Sequence, residues 1–550
     1  MITVGLYGIQ DAGLGHRPTW THDHSLAVMR DGLVQTVVQL ERHTGVKHDN
    51  TLPWHVCDLL DRLVPADEPV RFVSVNSFAG NGFASADGRL RIEPDARVTV
   101  EDILMPARCM WLPDRLKRRE AEAWIMCHEF AHVASILPFI GQFPDACLLV
   151  HIDGGASDSA CSFWTVEGGK PRLLYRGWDD LKDEVNFFNV GVLGQLALGL
   201  TLGDHLSMPG KLMGFAALGR ARPELLRWLD ARGWFVDHDG DVDALRREIA
   251  AAFPSAAPLD AHNPLLQDLC ACLQHRFQSR VVQRILDFQA QTGAKTLCYA
   301  GGAALNIATN VLLEQCGAFD EVWVPPCAND TGLALGAAAW LETRDLGRLP
   351  THGPFLHTLD APTVEPGTQD LDAILDLLAA GKVVGVCNGA GEVGPRALGH
   401  RSILARADSV AVRRRVSEDI KQREWYRPVA PVVTEEIAQK AFGSEVLRSR
   451  LAPWMLGAYA VRPTWQSHFA GVLHLDGTVR VQVVRRDDPG QLFLHTLLTQ
   501  AWRDHGIAGF LNTSFNRQGQ PILQRHADAV SAARDLGLDA VVVHGSLHRP

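Results

Sequence analysis

Two histidines four residues apart, in His128-Glu129-Phe130-Ala131-His132, are the densest chemistry in this sequence. On a helix, positions i and i+4 share a face, so both imidazoles can reach one cation. Taken alone the stretch is the H-E-x-x-H of zinc peptidases, with Glu129 as general base. In the second reading Glu129 is incidental and the histidines share a metal with distant carboxylates. Asp153 ends an apolar run, and Asp330 lies in Ala328-Asn329-Asp330-Thr331. Two His and two Asp suit Fe2+, Zn2+ or Mn2+. The plainer roles are a turn for Asp153 and a helix cap or surface position for Asp330. A peptidase needs a third ligand shortly downstream, and Val133 to Ala146 offers only Asp145. Cys127 adjoins His128 but is turned about 100° around a helix and is set aside as a ligand.

Three further groups carry polar chemistry. Gly154-Gly155-Ala156-Ser157 and Gly301-Gly302-Ala303 follow apolar runs. Such small turns let backbone amides close on phosphate oxygens. Together they suggest a nucleotide held between two lobes. Gly394-Pro395-Arg396-Ala397-Leu398-Gly399-His400-Arg401-Ser402 and Lys421-Gln422-Arg423-Glu424-Trp425-Tyr426-Arg427-Pro428 bring arginine forks that match phosphate and carbamate-like planar groups. Arg413-Arg414-Arg415 reads as a solvated basic face, whereas Arg396, Arg401 and Arg427 are embedded among Gly, Pro and aromatic residues. Asn512-Thr513-Ser514-Phe515-Asn516 is either a capped turn or a polar pocket wall. Near the start, His22-Asp23 precedes a strand, with Lys47 downstream. That is a candidate acid/base and charge-stabilising group.

The elements that must position these residues show a repeated plan. Ile2 to Gly8, His24 to Arg30 and Leu33 to Leu40 read as strands, with Asp31-Gly32 as a hairpin turn. Cys147 to Asp153 and Cys161 to Val166 repeat the pattern, with a Gly168-Gly169 turn, so the spacing predicts an internal structural duplication. Residues 114 to 135 read as a helix carrying the two histidines. Residues 190 to 290 read as mainly helical. Lys295 to Ala300 and Glu321 to Pro325 read as strands, with helices from about Ala304 and Thr331. Pro- and Gly-rich stretches between about 345 and 370 mark a boundary. A helix (Leu371 to Ala380), a strand (Val383 to Cys387) and further α/β alternation follow.

Bulk properties narrow the class. A chain of 550 residues holds two or three domains. Its net charge of −10 supplies no basic field for nucleic acid. The 11 cysteines form no C-x-x-C pair and suit reduced, buried thiols of a cytoplasmic protein. The N-terminus lacks a basic n-region, and the longest apolar run, Val190 to Leu202, is too short to cross a bilayer.

In order along the chain, His22-Asp23-x-Ser25, Asp31-Gly32, Glu41-Arg42, Lys47-His48, the His128/His132 pair, Asp153-Gly154, Pro209-Gly210-Lys211-x-Met213-Gly214, Gly301-Gly302 and Asn329-Asp330 resemble the O-carbamoyltransferases of nodulation-factor and antibiotic biosynthesis, among them the tobramycin and cephem enzymes. The Gly394–Gly399, Arg423–Pro431 and Asn512–Asn516 blocks resemble that family's C-terminal motifs, so the likeness spans nearly the whole chain. It implies an α/β protein of two parts. Residues 1–355 would form duplicated actin/hexokinase-like (ASKHA) lobes related to tRNA threonylcarbamoyltransferases. Residues 366–550 would form a YrdC-like adenylate-making domain. ATP (with Mg2+) and carbamoyl phosphate would give carbamoyl-adenylate, whose carbamoyl group passes to a hydroxyl of a small-molecule acceptor. By resemblance the divalent metal sits on His128, His132, Asp153 and Asp330. His22, Asp23 and Lys47 act on the acceptor. Gly154, Gly155, Ser157, Lys211, Gly301, Gly302 and Asn306 hold nucleotide. Arg396, Arg401, Lys421, Arg423, Arg427, Asn512, Ser514 and Asn516 hold carbamoyl phosphate. Neither nucleic acid nor membrane is implied, and a homo-oligomer is compatible. The family often has adjacent histidines where this chain has His128-Glu129. The segment Gly8 to Thr21 before His22-Asp23, which includes Gln10 to His16, looks longer than usual, so it is expected to shape the acceptor pocket. The rival is a sugar-kinase-like ATPase of the same lobes, which needs no histidine pair. A non-enzymatic scaffold would leave the polar motifs without purpose.

Overall fold

Six uncharged residues, Ile2–Tyr7, form β1, buried along its whole length. Strands β2 (Ser25–Arg30) and β3 (Leu33–Gln39) run antiparallel beside it, joined by the Asp31-Gly32 turn, and β4 (Val70–Val75) runs parallel on its other side. The computed structural model describes residues 1–8, 21–65, 67–114, 117–119, 121–178, 187–200, 206–234, 241–254, 258–362, 366–488 and 490–550. The segment Gln10 to His16 lies outside them. Strands β5 (Phe83–Ala84), β6 (Leu90–Pro94), β7 (Leu104–Asp114), β8 (Lys117–Arg119) and β9 (Glu122–Met126) complete the first sheet. Among the described residues its order is β3-β2-β1-β4-β9-β7-β6-β5, with β8 paired to β7.

The second sheet uses β10 (Leu148–Ile152), β11 (Cys161–Glu167), β12 (Lys170–Gly177), β13 (Thr296–Ala300) and β14 (Glu321–Trp323) in the order β12-β11-β10-β13-β14. Here too the first three strands are antiparallel and the next two parallel to the first. The β3-β2-β1-β4-β9 half of the first sheet has the same order and the same strand directions. The expected duplication is therefore present, and it is the two-lobed topology implied by the actin/hexokinase-like resemblance. Between β12 and β13 lies a helical unit with its own apolar core, ending in the helix Pro264–Thr292.

The third sheet, in the order β20-β17-β21-β16-β15-β22-β23, is built from β15 (Val384–Cys387), β16 (Arg401–Arg406), β17 (Ala430–Thr434), β20 (Gln482–Val484), β21 (Phe510–Ser514), β22 (Ala540–Val543) and β23 (Ser546–His548). A two-stranded ribbon, β18 (Tyr459–Ala460) and β19 (Thr478–Val479), stands apart. The sheet carries apolar clusters on both faces, around Phe515 and around Phe510, giving a mixed α/β layer. Nine cysteines are buried and all are free. Among the described residues, no helix is long and apolar enough to cross a membrane.

One expectation fails. The stretch 114 to 135 is not one helix. It holds the end of β7, then β8 and β9, and among its described residues only His128–Ala134 is helical. Ala123 and Ile125 are buried while Glu122 is exposed, an alternation that belongs to a strand. Pairing between β7 and β9 overrides the helix-favouring Lys, Arg, Glu and Ala composition. Strand β14 ends at Trp323, and 3-10 turns precede the helices starting at Ile307 and Leu333.

Candidate metal centre and anion site

All seven residues of the helix His128–Ala134 are buried between the lobes. The Asn76 side chain, just past β4, accepts from the His128 backbone N–H at 3.0 Å and fixes where the helix begins. The helix Leu333–Leu346 packs across it and β1. Alternation along β10 turns Leu149, His151 and Asp153 to the face that looks at the histidines, and Leu148, Val150 and Ile152 to the other core. The two lobes thus bring residues far apart in sequence to one point.

There the Nε2 atoms of His128 and His132 lie 3.1 Å apart. Asp330 Oδ1 is 3.5 Å from His132 Nε2 and 3.8 Å from His128 Nε2, and Asp153 Oδ2 is 3.5 Å from His132 Nε2. Three of the four side chains are oriented from behind. His132 donates through Nδ1 to the Ala328 carbonyl at 3.0 Å, which leaves Nε2 facing the cluster. Tyr7 donates to Asp330 Oδ2 at 2.8 Å. The Gly302 and Gly154 N–H groups donate to Asp153 at 2.5 and 2.6 Å. Burial pushes His128 down to about 4. Burial also opposes charge on His132, but Asp330 and Asp153 raise it. Burial thus disfavours a proton on His128, while the two carboxylates favour one on His132. Two imidazole Nε2 atoms and two carboxylates facing one buried point would be satisfied together by a divalent cation, so the donor set fits the metal. His151, buried against His132 with ring centroids 5.3 Å apart, was not singled out from sequence, and neither was Tyr7.

Glu129 faces away. It accepts from Ser157 Oγ at 2.6 Å and from the Asp158 and Ser159 N–H groups at 2.6 and 2.9 Å. A carboxylate clamped this way closes the Gly154–Ser159 turn and activates no water, which removes the peptidase reading. The same contact occupies the Ser157 hydroxyl. Gly154 is exposed and Gly155 half-buried, leaving their backbone open to the cleft. Gly301 has φ +99°, and a side chain there would collide with the Ile152 carbonyl. Asn306 caps the helix Ile307–Gln315, and its amide pairs with Gln274.

Beside the cluster, Asp23 takes two imidazoles on one carboxylate: His22 Nδ1 at 3.1 Å and His48 Nδ1 at 2.9 Å. Asn329, next to Asp330, donates to it at 3.4 Å. Burial opposes charge on His22, but Asp330 and Asp23 push it up to about 9. Lys47 is not brought to this group; its Nζ pairs with the buried Glu41 at 2.6 Å.

On segments between the strands of the C-terminal sheet, Lys421, Arg423, Arg396 and Arg427 converge with Arg480, a residue the motifs did not reveal. Burial and Arg427 push Arg396 down to about 10, and burial, Arg427 and Arg396 push Arg423 down to about 9. Arg480 and Lys421 fall well below their usual range for the same reasons. Crowded guanidiniums keep their protons, and an anion among them would offset their mutual repulsion. Arg423 reaches Thr513 Oγ1 at 3.1 Å, and Lys421 reaches Ser514 Oγ and Asn516 Oδ1 at 3.1 and 2.6 Å. Arg401 is elsewhere: fully buried, it spends its guanidinium on the carbonyls of Asn388, Gly389, His400 and Gln524. Asn512 binds Ala397 O and Gln482 within the sheet.

The chain is similar to nodulation protein U of Rhizobium tropici, 38% identical over 96% of this chain and 94% of that protein. Nodulation protein U of Sinorhizobium fredii (strain NBRC 101917 / NGR234) is 29% identical over 96% and 98%. Among solved structures, a ROK family glucokinase from Streptomyces griseus in complex with glucose and AMPPNP covers 61% of this chain and 98% of its own, at 13% identity. Its TM-score is 0.27. The family models described as carbamoyltransferase N-terminus and carbamoyltransferase C-terminus match residues 106–339 and 375–549, segments that hold the histidine pair and the arginine cluster respectively. The chain belongs to the carbamoyltransferase family and is a carbamoyltransferase.

Proposed function

We propose that this enzyme is an ATP-dependent O-carbamoyltransferase that divides its reaction between two sites. The observation that carries the reading is the separation of two incompatible chemistries on one chain: four metal-type ligands between the lobes, and five crowded cations in the C-terminal sheet. Its parts are residues 1–355 and 366–550. The cation cluster (Arg396, Lys421, Arg423, Arg427, Arg480) grips the phosphates of carbamoyl phosphate and ATP. Water, carbamoyl phosphate and ATP give carbamoyl-adenylate, with one phosphate and one pyrophosphate released. Paired guanidinium bonds neutralise the leaving charge.

In the lobe cleft, His128, His132, Asp153 and Asp330 would hold Fe2+, Zn2+ or Mn2+, which when bound supplies Lewis-acid polarisation of the adenylate phosphate. The exposed backbone of Gly154 and Gly155 borders the nucleotide. A cation bound by Asp330 and Asp153 would offset the negative charge that raises His22, and the neutral ring, held through Nδ1 by Asp23, then takes the proton from the acceptor hydroxyl as its oxygen attacks the carbamoyl carbon and AMP leaves. Asp23 stabilises the imidazolium that forms. The acceptor is a small-molecule alcohol of the natural-product or saccharide type.

Incubation with ATP and carbamoyl phosphate is expected to release pyrophosphate, and AMP with a carbamoylated product once an acceptor alcohol is present. ADP without pyrophosphate would show a kinase-like ATPase instead.

A further inference from the structure

The cation cluster has one acidic neighbour. Among the described residues, Glu424 is the only carboxylate in ion-pair range of Arg396, Lys421, Arg423, Arg427 or Arg480, with its Oε2 3.7 Å from Arg427 Nη1. That oxygen is buried and accepts no hydrogen bond. The other oxygen, Oε1, is taken by Lys211 Nζ at 3.1 Å and by Gln518 Nε2 at 3.3 Å. Lys211 is itself buried and sits on the helix Met208–Ala216 of the helical unit, more than 200 residues earlier in the chain. The same helical unit grips the loop on either side of Glu424. Phe215 meets Tyr426 edge-on at 5.2 Å, and His262 stacks on Trp425 at 5.4 Å.

We infer that Lys211 is a positioning residue for the anion site: it draws Glu424 Oε1 to itself and leaves only Oε2, at a loose 3.7 Å, beside Arg427, so that the guanidiniums of Arg427 and Arg423 stay available for phosphate groups. This rests on reading the cation cluster as the phosphate-binding site. A flexible carboxylate beside crowded arginines pairs with them when no ligand is present, and an incoming anion must then displace it. Lys211 removes that competitor by giving Glu424 a partner of its own. The resemblance placed Lys211 on the nucleotide; the geometry places its charge on the acid next to the cluster.

Two measurements on the full-length enzyme test this: calorimetric titration with inorganic pyrophosphate, and KM and kcat for carbamoyl phosphate in pyrophosphate release. Lys211→Met is expected to weaken pyrophosphate binding about ten-fold and raise KM alike, with kcat within about two-fold. Lys211→Arg keeps the charge and stays near wild type. Lys211→Met combined with Glu424→Gln returns to wild-type binding, because the competitor is gone. Glu424→Gln alone binds pyrophosphate at least as tightly as wild type, and this variant carries the test if Lys211→Met fails to fold. Unchanged binding in Lys211→Met, weakened binding in Glu424→Gln, or no rescue in the double variant overturns the assignment. If binding depends on Lys211 as stated but ATP and carbamoyl phosphate release no pyrophosphate, the assignment stands and the proposed reaction fails.

Discussion

Asp23 is the residue on which the acceptor side turns. It sits at φ +55° and is buried, yet it holds His22 and His48 together. The His22 value of about 9 lies above its usual 6.5, so this group contributes stability that is fully present below pH 6.5 and lost as pH climbs through 9. In protein stripped of metal with a chelator, an NMR titration should find the His22 ring changing near pH 9. Asp23→Asn should bring that midpoint back toward or below 6.5, because burial then outweighs the remaining Asp330 field. An unmoved midpoint would show that Asp23 does not set the His22 charge. At this scale the sequence was partly legible. The histidine pair and His22-Asp23 stand out by type and spacing, whereas Asp153 and Asp330, which read equally as turn and cap residues, were joined to the pair only through the family resemblance. Tyr7, His151 and Arg480 did not stand out, because a tyrosine or histidine inside an apolar strand looks like core until its neighbour across the cleft is known. Lys47 misled for the converse reason: a lysine near a His-Asp pair has several carboxylates within reach, and here Glu41 wins.

Elements bring the ligands together through close backbone contact. Gly301 follows β13 and lies against the end of β10, and the adjacent Gly302 N–H holds Asp153. Gly301→Ala should therefore destabilise the fold by about 1–3 kcal/mol, through left-handed strain and the collision with Ile152. It should also lower bound metal, since β13 must retreat from Asp153. Gly317→Ala is the control. Gly317 also has positive φ, at 76°, but open space lies around it. Urea unfolding and elemental analysis of both variants separate the two effects: equal loss of metal would deny the close-approach role. The strand plan that sets up this contact was readable because alternation and Gly turns recur in both lobes. The 114 to 135 stretch was not, since its charged, helix-favouring residues form β8 and β9, strands that only pairing with β7 and β4 explains. Likewise the contact of Glu129 with Ser157 to Ser159 needs β10 and β11 already in place, so nothing local to His128-Glu129 reveals it.

Across the whole molecule the two sites are joined by short backbone routes. Arg42, in the short helix Leu40–Thr44 that follows β3, donates to the carbonyls of Glu392 and Gly394 at 2.5 and 2.6 Å. Gly394 lies against Pro326, in the loop that continues through Ala328, the acceptor for His132, to Asp330. The loop bearing Arg396 therefore rests on the loop bearing a metal ligand, although the chemistries remain distinct. Each half-reaction should fail independently. Arg396→Ala removes a cation from the anion site and should abolish pyrophosphate release, while leaving transfer from supplied carbamoyl-adenylate intact. His132→Ala should do the reverse, because it removes a metal ligand and no cation of the cluster. Radiolabelled carbamoyl phosphate and synthetic adenylate, followed separately with each variant, distinguish the steps. Loss of the same step in both variants would mean that a single site does the work, and the cation cluster would then be structural.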